Sequence, residues 1–222
     1  MPFRRGALGI AADVGGGVNA TDDLALNRPG DAVRRKLVEL QPNPFKRAFG
    51  RRRASSELSS WASGLIGERV TGRRVNRLRR RGWYVLHAVQ WPSGSDIDHL
   101  VIGPPGVFTI NSKRHKGKSV WYGDNATTVN RTPTPHITIS QSEARRVARL
   151  LSRHCGFAVP VRPVIAVVHA AAIKVKNAAP PVLVVPAKEV DRALMGLSPT
   201  LGSAQVEAVY AVARNARNWH GG

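Results

Sequence analysis

Residues 95–121 read SDIDHLVIGPPGVFTINSKRHKGKSVW. Two apolar runs, Leu100-Val101-Ile102 and Val107-Phe108-Thr109-Ile110, flank Gly103-Pro104-Pro105-Gly106. Short β-branched and aromatic runs around a Gly/Pro turn specify a β-hairpin. Asp96 and Asp98 stand at the entry of its first strand, Asn111 and Lys113 at the exit of its second. Residues two apart on a strand leave the same face, so the amide and the lysine project together. The hairpin brings carboxylates from one end of the ribbon, and an amide with a lysine from the other, to one sheet edge.

Upstream, Ser55 or Ser56 offers a hydroxyl to cap a helix. Trp61, Leu65, Glu68, Gly72, Val75 and Leu78 follow at spacings of three and four, which is one helical face. Glu68 is the misfit, a carboxylate in a slot on the apolar stripe. Gly64 and Gly72 lie one turn either side of it; each costs about 1 kcal/mol against alanine in a helix interior, as expected where another part of the chain comes close. Arg81-Gly82 stops the helix, and residues 83–89 make the first strand. Residues 119–122 form another, with an edge strand near Thr127. Ser140-Gln141-Ser142-Glu143 has capping-box spacing and opens a helix reaching about His154. Residues 161–168 and 182–185 are continuous apolar runs, the mark of strands covered on both faces, and helices near 187–197 and 203–219 close the chain. This order is α/β, a central mixed sheet flanked by helices. Residues 1–53 read as a flexible basic arm in which only 32–40 carries a helical pattern, leaving residues 54–222 as the folded domain.

At 222 residues and 42% hydrophobic content, one domain with tails is the expected size. The net charge of +20 predicts a polyanionic partner. Arginine outnumbers lysine 26 to 8, as a GC-rich genome would favour, but the excess is not evenly spread. Basic and acidic residues number 11 and 6 in residues 1–60, 16 and 5 in 61–160, and 7 and 3 in 161–222. The surplus peaks around the hairpin. Cys155 is the only cysteine, which excludes a disulfide framework and a cysteine zinc cluster. No apolar run approaches the ~20 residues of a membrane span, and a cytoplasmic setting is the expectation.

The converging groups suit a hard cation such as Mg²⁺ or Mn²⁺, which takes oxygen ligands from one or two carboxylates plus substrate phosphate. Asp98 and the Asn111 carbonyl are the candidate ligands, Lys113 can orient a water or hold a phosphate, and Glu68 adds an acid from the helix. Arg69, Arg73, Arg74, Arg77, Arg114, Lys116, Lys118 and Arg145 could hold a phosphate backbone without reading sequence. Blander readings stand beside these. Asp96 and Asp98 could be turn acceptors, the 113–118 basic run a solvated loop, and Glu68 a core carboxylate paired with Arg73. His99 and His115 make no zinc motif, nothing gathers Cys155, His154 and His169 into a thiol site, and Trp83, Trp91 and Trp121 suit the core and sheet edges.

The order GER, W-x-V, DIDHLVIGPPGVFTINSK and G-K resembles the nuclease-related domain (NERD), a branch of the PD-(D/E)xK nuclease superfamily, over about residues 61–155. The resemblance implies a restriction-endonuclease-like core and a metal-dependent nuclease acting on DNA. It places the metal ligand on Asp98, the family lysine on Lys113, the helix glutamate on Glu68 and the glutamine of related folds on Gln141. One departure stands out: the acid expected two residues before the lysine is Asn111. The first alternative is therefore a weakened or inactive nucleic-acid-binding module, and the second a basic protein that binds RNA or anionic membrane.

Overall fold

In the computed structural model, which describes residues 18–42, 56–177 and 179–220, the strand β1 (Tyr84–Gln90) runs antiparallel to β2 (Asp96–Gly103). β2 returns through Pro104-Pro105 as β3 (Gly106–Arg114), with Gly103 opposite Gly106. Gly106 has φ 123°, open to glycine and strained for other residues. Gly103 is required for a different reason: a Cβ there would lie 2.3 Å from the Trp83 indole.

Strands β4 (Ser119–Tyr122), β5 (Thr127–Val129), β6 (Thr132–Thr134), β7 (Val161–Val168), β8 (Ala172–Val175) and β9 (Leu183–Pro186) complete two sheets. The main sheet has the order β1-β2-β3-β7-β9, with β7 parallel to both β3 and β9. It is the expected mixed α/β sheet, and its central strands are buried on both faces. The smaller sheet, β6-β5-β4-β8, carries two strands that the sequence did not announce, β6 and β8. Both are short and exposed, so they lack the apolar run or strict alternation that marks a strand.

Helices cover both faces of the main sheet. Among the described residues, α1 spans Asp31–Leu40, α2 Ser56–Val75, α3 His136–Cys155, α4 Val190–Met195 and α5 Ser203–Arg214. Leu86, Leu100, Ile102 and Val107 pack against Val147 and Leu151 of α3 and Val209 of α5. On the other face Val85, Val101, Phe108 and Ile110 meet Val75 of α2 and Leu194 of α4. At about 25 cal/mol per Å² of apolar surface, these two clusters supply the main drive to fold.

Two expectations need correction. α3 begins at His136, four residues before Ser140, so Ser140 and Glu143 lie within the helix and form no cap. Ser140 is buried there, and Glu143 turns inward beside the hairpin. Residues 18–42 are not a loose part of a basic arm. Arg214 on α5 forms an ion pair with Asp23, Arg217 donates to Asp22 at 2.7 Å, and the ring of Pro29 lies where a Cβ on Gly72 of α2 would be, at 2.4 Å. The remainder of the expected arm, 1–17 and 43–53, falls outside the described residues.

Candidate metal centre where the hairpin opens

The site exists because the sheet pairing fails around Asp98. β2 and β3 are paired from Gly103–Gly106 up to His99–Ile110 and then part. The Ser112 N–H donates instead to the Asp98 carboxylate, at 2.6 Å. On the other edge, Ala88 would face Asp98 but the β1–β2 register skips that pair. Ala88 has φ 50°, an uncommon backbone for a residue with a Cβ. The Asn27 amide caps the neighbouring carbonyls, donating to His87 O at 3.1 Å and Ala88 O at 3.2 Å. Strain of this kind concentrates at functional sites, and here it opens a gap in the ladder for one carboxylate.

Three carboxyls meet in that gap. One oxygen each from Glu68, Asp96 and Asp98 lie within 4.8 Å of one another. Glu68 reaches in from α2 and is 4% exposed, with one oxygen lacking any hydrogen-bond partner. Gly30 packs on the same helix, against Leu65 and Arg69, and its backbone favours the ionised form of Glu68, so the segment before α1 forms one wall. The close approach expected of this helix face falls at Gly72, against Pro29, and at Gly67, whose Cβ position lies 3.4 Å from Arg114; nothing lies within 4 Å of Gly64.

Crowded acids in a poorly hydrated gap resist ionisation. Burial, with the charges of Asp98 and Asp96, pushes Glu68 up to about 9. Burial and Asp98 raise Asp96 to about 6, and burial raises Asp98. Lys113 opposes each of these shifts, which makes it the cation common to the group. Glu143 on α3 lies outside that 4.8 Å group but feels the same charges: burial and Asp98 raise it to about 8, while Lys113 and the Asn111 amide pull it down. Asn111 itself is 7% exposed. The hairpin ends and the α2 carboxyl thus share one small volume, as their sequence positions suggested.

A run of polar contacts leads from Arg79 to Ser112, the residue that holds Asp98. Arg79 Nε donates to Asn76 Oδ1 at 3.0 Å, which sets the orientation of that amide. The same oxygen lies 3.0 Å from His87 Nε2, so the proton is on that nitrogen. His87 Nδ1 must then accept from His99 Nδ1 at 2.9 Å. His99 Nε2 in turn lies 3.3 Å from the Ser112 hydroxyl, which also acts on the Asp98 carboxylate. Burial holds both imidazoles far below their usual range, His87 to about 2 and His99 to about 3, so both stay neutral across physiological pH. Nothing in the sequence signals the pairing of His87 with His99 beyond their place on adjacent strands.

The remaining candidates are distributed unevenly. Gln141 is half-buried on α3, but two residues before Glu143 means about 200° around the helix, so it points away from the carboxyl that enters the site. Arg69, Arg73, Lys116, Lys118 and Arg145 are exposed. Arg74 and Arg77 each lie 3.9 Å from Asp191, and Arg114 donates to Ser63 at 2.8 Å, so part of their charge serves the fold. His115 stacks on His136 with ring centres 5.3 Å apart. Glu143 is the member that sequence reasoning missed: its spacing from Ser140 fitted a cap, and only the earlier helix start, behind Pro135, releases it for another role.

Comparison with known proteins agrees with this geometry. Residues 63–168 match the family model described as the nuclease-related domain, NERD; the PD-(D/E)xK superfamily is the general assignment for this domain. An uncharacterized protein of Bacillus anthracis is 34% identical over 58 residues, 24% of this chain and 27% of that protein. The chain therefore spans about a quarter of the length of this relative. No solved structure matches the chain.

Proposed function

Since residues 63–168 belong to the nuclease-related domain family, we propose that the chain is a metal-dependent nuclease that hydrolyses phosphodiester bonds of DNA. The observation that carries this reading is the meeting of Glu68, Asp96 and Asp98 within 4.8 Å of one another, with Lys113 acting on all three. The donor set fits a hard divalent cation: all oxygen, carboxylate-rich, and including a buried Glu68 oxygen that lacks a partner. Asp98 is the principal ligand, held by Ser112, with Glu68 and Asp96 beside it and the Asn111 carbonyl in reserve. Mg²⁺ or Mn²⁺ bound there would supply Lewis-acid charge at a phosphate oxygen and acidify a water.

The protein's own groups do the rest. Lys113 neutralises part of the carboxylate charge and is placed to hold a phosphate oxygen or orient the attacking water. Arg69 and Arg73 from α2, with Lys116 and Lys118 after β3, would grip phosphates without selecting sequence. The test is Asp98→Ala: Mg²⁺- or Mn²⁺-dependent cleavage of DNA should be lost while DNA binding remains. Cleavage at the parent rate in that variant would overturn the assignment. Asn111 favours a second reading, a nuclease-derived module that binds nucleic acid without cutting it; this predicts salt-sensitive binding and no metal-dependent cleavage by the parent protein.

A further inference from the structure

We propose that Glu143 supplies, from helix α3, the metal-binding carboxylate that position 111 lacks, and that Asn111 serves to hold it in place. This rests on the metal-binding reading of the site and concerns which residues complete it. Asn111 lies on β3 two residues before Lys113 and is buried. The side chain its amide acts on is another potential ligand, the Glu143 carboxyl, whose ionised form it favours. One Glu143 oxygen, Oε1, is buried and has no hydrogen-bond partner. A lone acceptor withdrawn from water with nothing to bind is costly, and a cation beside Asp98 would satisfy it.

The charges around Glu143 agree. Asp98, Asp96 and Lys113, the groups that define the site, all act on it. Arg146, one helical turn away, feels the Glu143 charge, but its guanidinium is engaged elsewhere. It stacks 3.7 Å from the centre of the Trp91 ring and donates to Ser95 Oγ at 2.9 Å. An ion pair with Arg146 therefore does not account for an acid turned inward from α3.

The exchange also has an internal logic. A carboxylate at 111 beside Glu143 would bring a further like charge into a gap that already holds three acids. An amide can instead donate to the Glu143 carboxylate, or accept from its protonated form. Asn at 111 and Glu at 143 are compatible neighbours, whereas two acids would oppose each other. The number of acids available to a cation is kept, but one of them arrives on a different element.

Calorimetric titration of the full chain with Mn²⁺ at fixed ionic strength distinguishes the possibilities. Glu143→Gln keeps the shape and can still pair with the Asn111 amide, so the fold should persist by circular dichroism. Its Mn²⁺ affinity should fall about tenfold or more. Asn111→Glu combined with Glu143→Gln returns the acid to the strand and should restore the parent affinity. Parent-like affinity in Glu143→Gln overturns this inference alone, and so does a double variant as weak as the single one. Absence of Mn²⁺ binding by the parent protein removes both this inference and the metal-binding reading beneath it.

Discussion

At the scale of single residues, the site is governed by how many protons its acids retain. In the metal-free protein Glu68 ionises at about 9 and Glu143 at about 8, whereas a glutamate in an unfolded chain ionises near ~4.3. Between pH ~7 and ~9 the folded state therefore binds more protons than the unfolded state, and stability must fall as pH rises through that window. Histidines do not obscure the trend, because His87 and His99 are neutral in the fold and free histidine is already deprotonated above pH ~7. A divalent cation replaces those protons and should flatten the slope. Melting temperatures measured across this window in chelator and in Mg²⁺ check the point; a chelator curve that stays level or rises would show that these acids are not buried together.

Residue identity also explains which parts of the site could be read in advance. Glu68 stood out as a charge on an apolar stripe, and it is indeed an inward-facing carboxyl of α2. Asp98 and Lys113 were legible because a Gly-Pro-Pro-Gly turn fixes the hairpin, and a fixed hairpin brings its two ends together. Glu143 was hidden, because a capping box and an interior helical turn share the same three-residue spacing. The two are separated only by where the helix begins, and helix ends are weakly specified by local sequence.

At the scale of elements, the segment 18–42 changes from an expected loose arm to a wall of the site. Its helical stretch was visible in the sequence, but its docking depends on partners far along the chain: Asp23 on Arg214, Asn27 on the carbonyls of β1, Pro29 on Gly72. Gly72 gives a sharp test. A Cβ there would lie 2.4 Å from the Pro29 ring and 3.4 Å from the His99 ring. The small propensity gain of alanine, about 1 kcal/mol, cannot offset that overlap, so Gly72→Ala should release residues 18–42. Hydrogen exchange should then show Arg34 and Gln41, whose amides are bonded within this segment, exchanging faster, with the β2–β3 core unchanged. Unaltered protection at both amides would mean that the segment is held independently of this contact.

At the scale of the molecule, part of the positive surplus stands on elements that line the site: Arg69 and Arg73 on α2, and Lys116 and Lys118 after β3, are exposed, whereas Arg145 lies one turn from Gln141 on α3 and so faces away from Glu143. If these four exposed cations contact phosphates, the logarithm of the affinity for duplex DNA should fall against that of the salt concentration with a slope of about −3 to −4. Fluorescence anisotropy over a salt series measures it; a slope near zero would contradict binding through this face. Among the described residues no helix is long and apolar enough to cross a membrane.

The most direct test is to locate the ion. Crystals of the full chain grown with Mn²⁺ should give an anomalous peak among the carboxyl oxygens of Glu68, Asp96 and Asp98, near Lys113, and lose it in Asp98→Ala. Crystals in which those carboxyls are ordered but no peak lies between them, or in which the peak survives the substitution, would contradict the account.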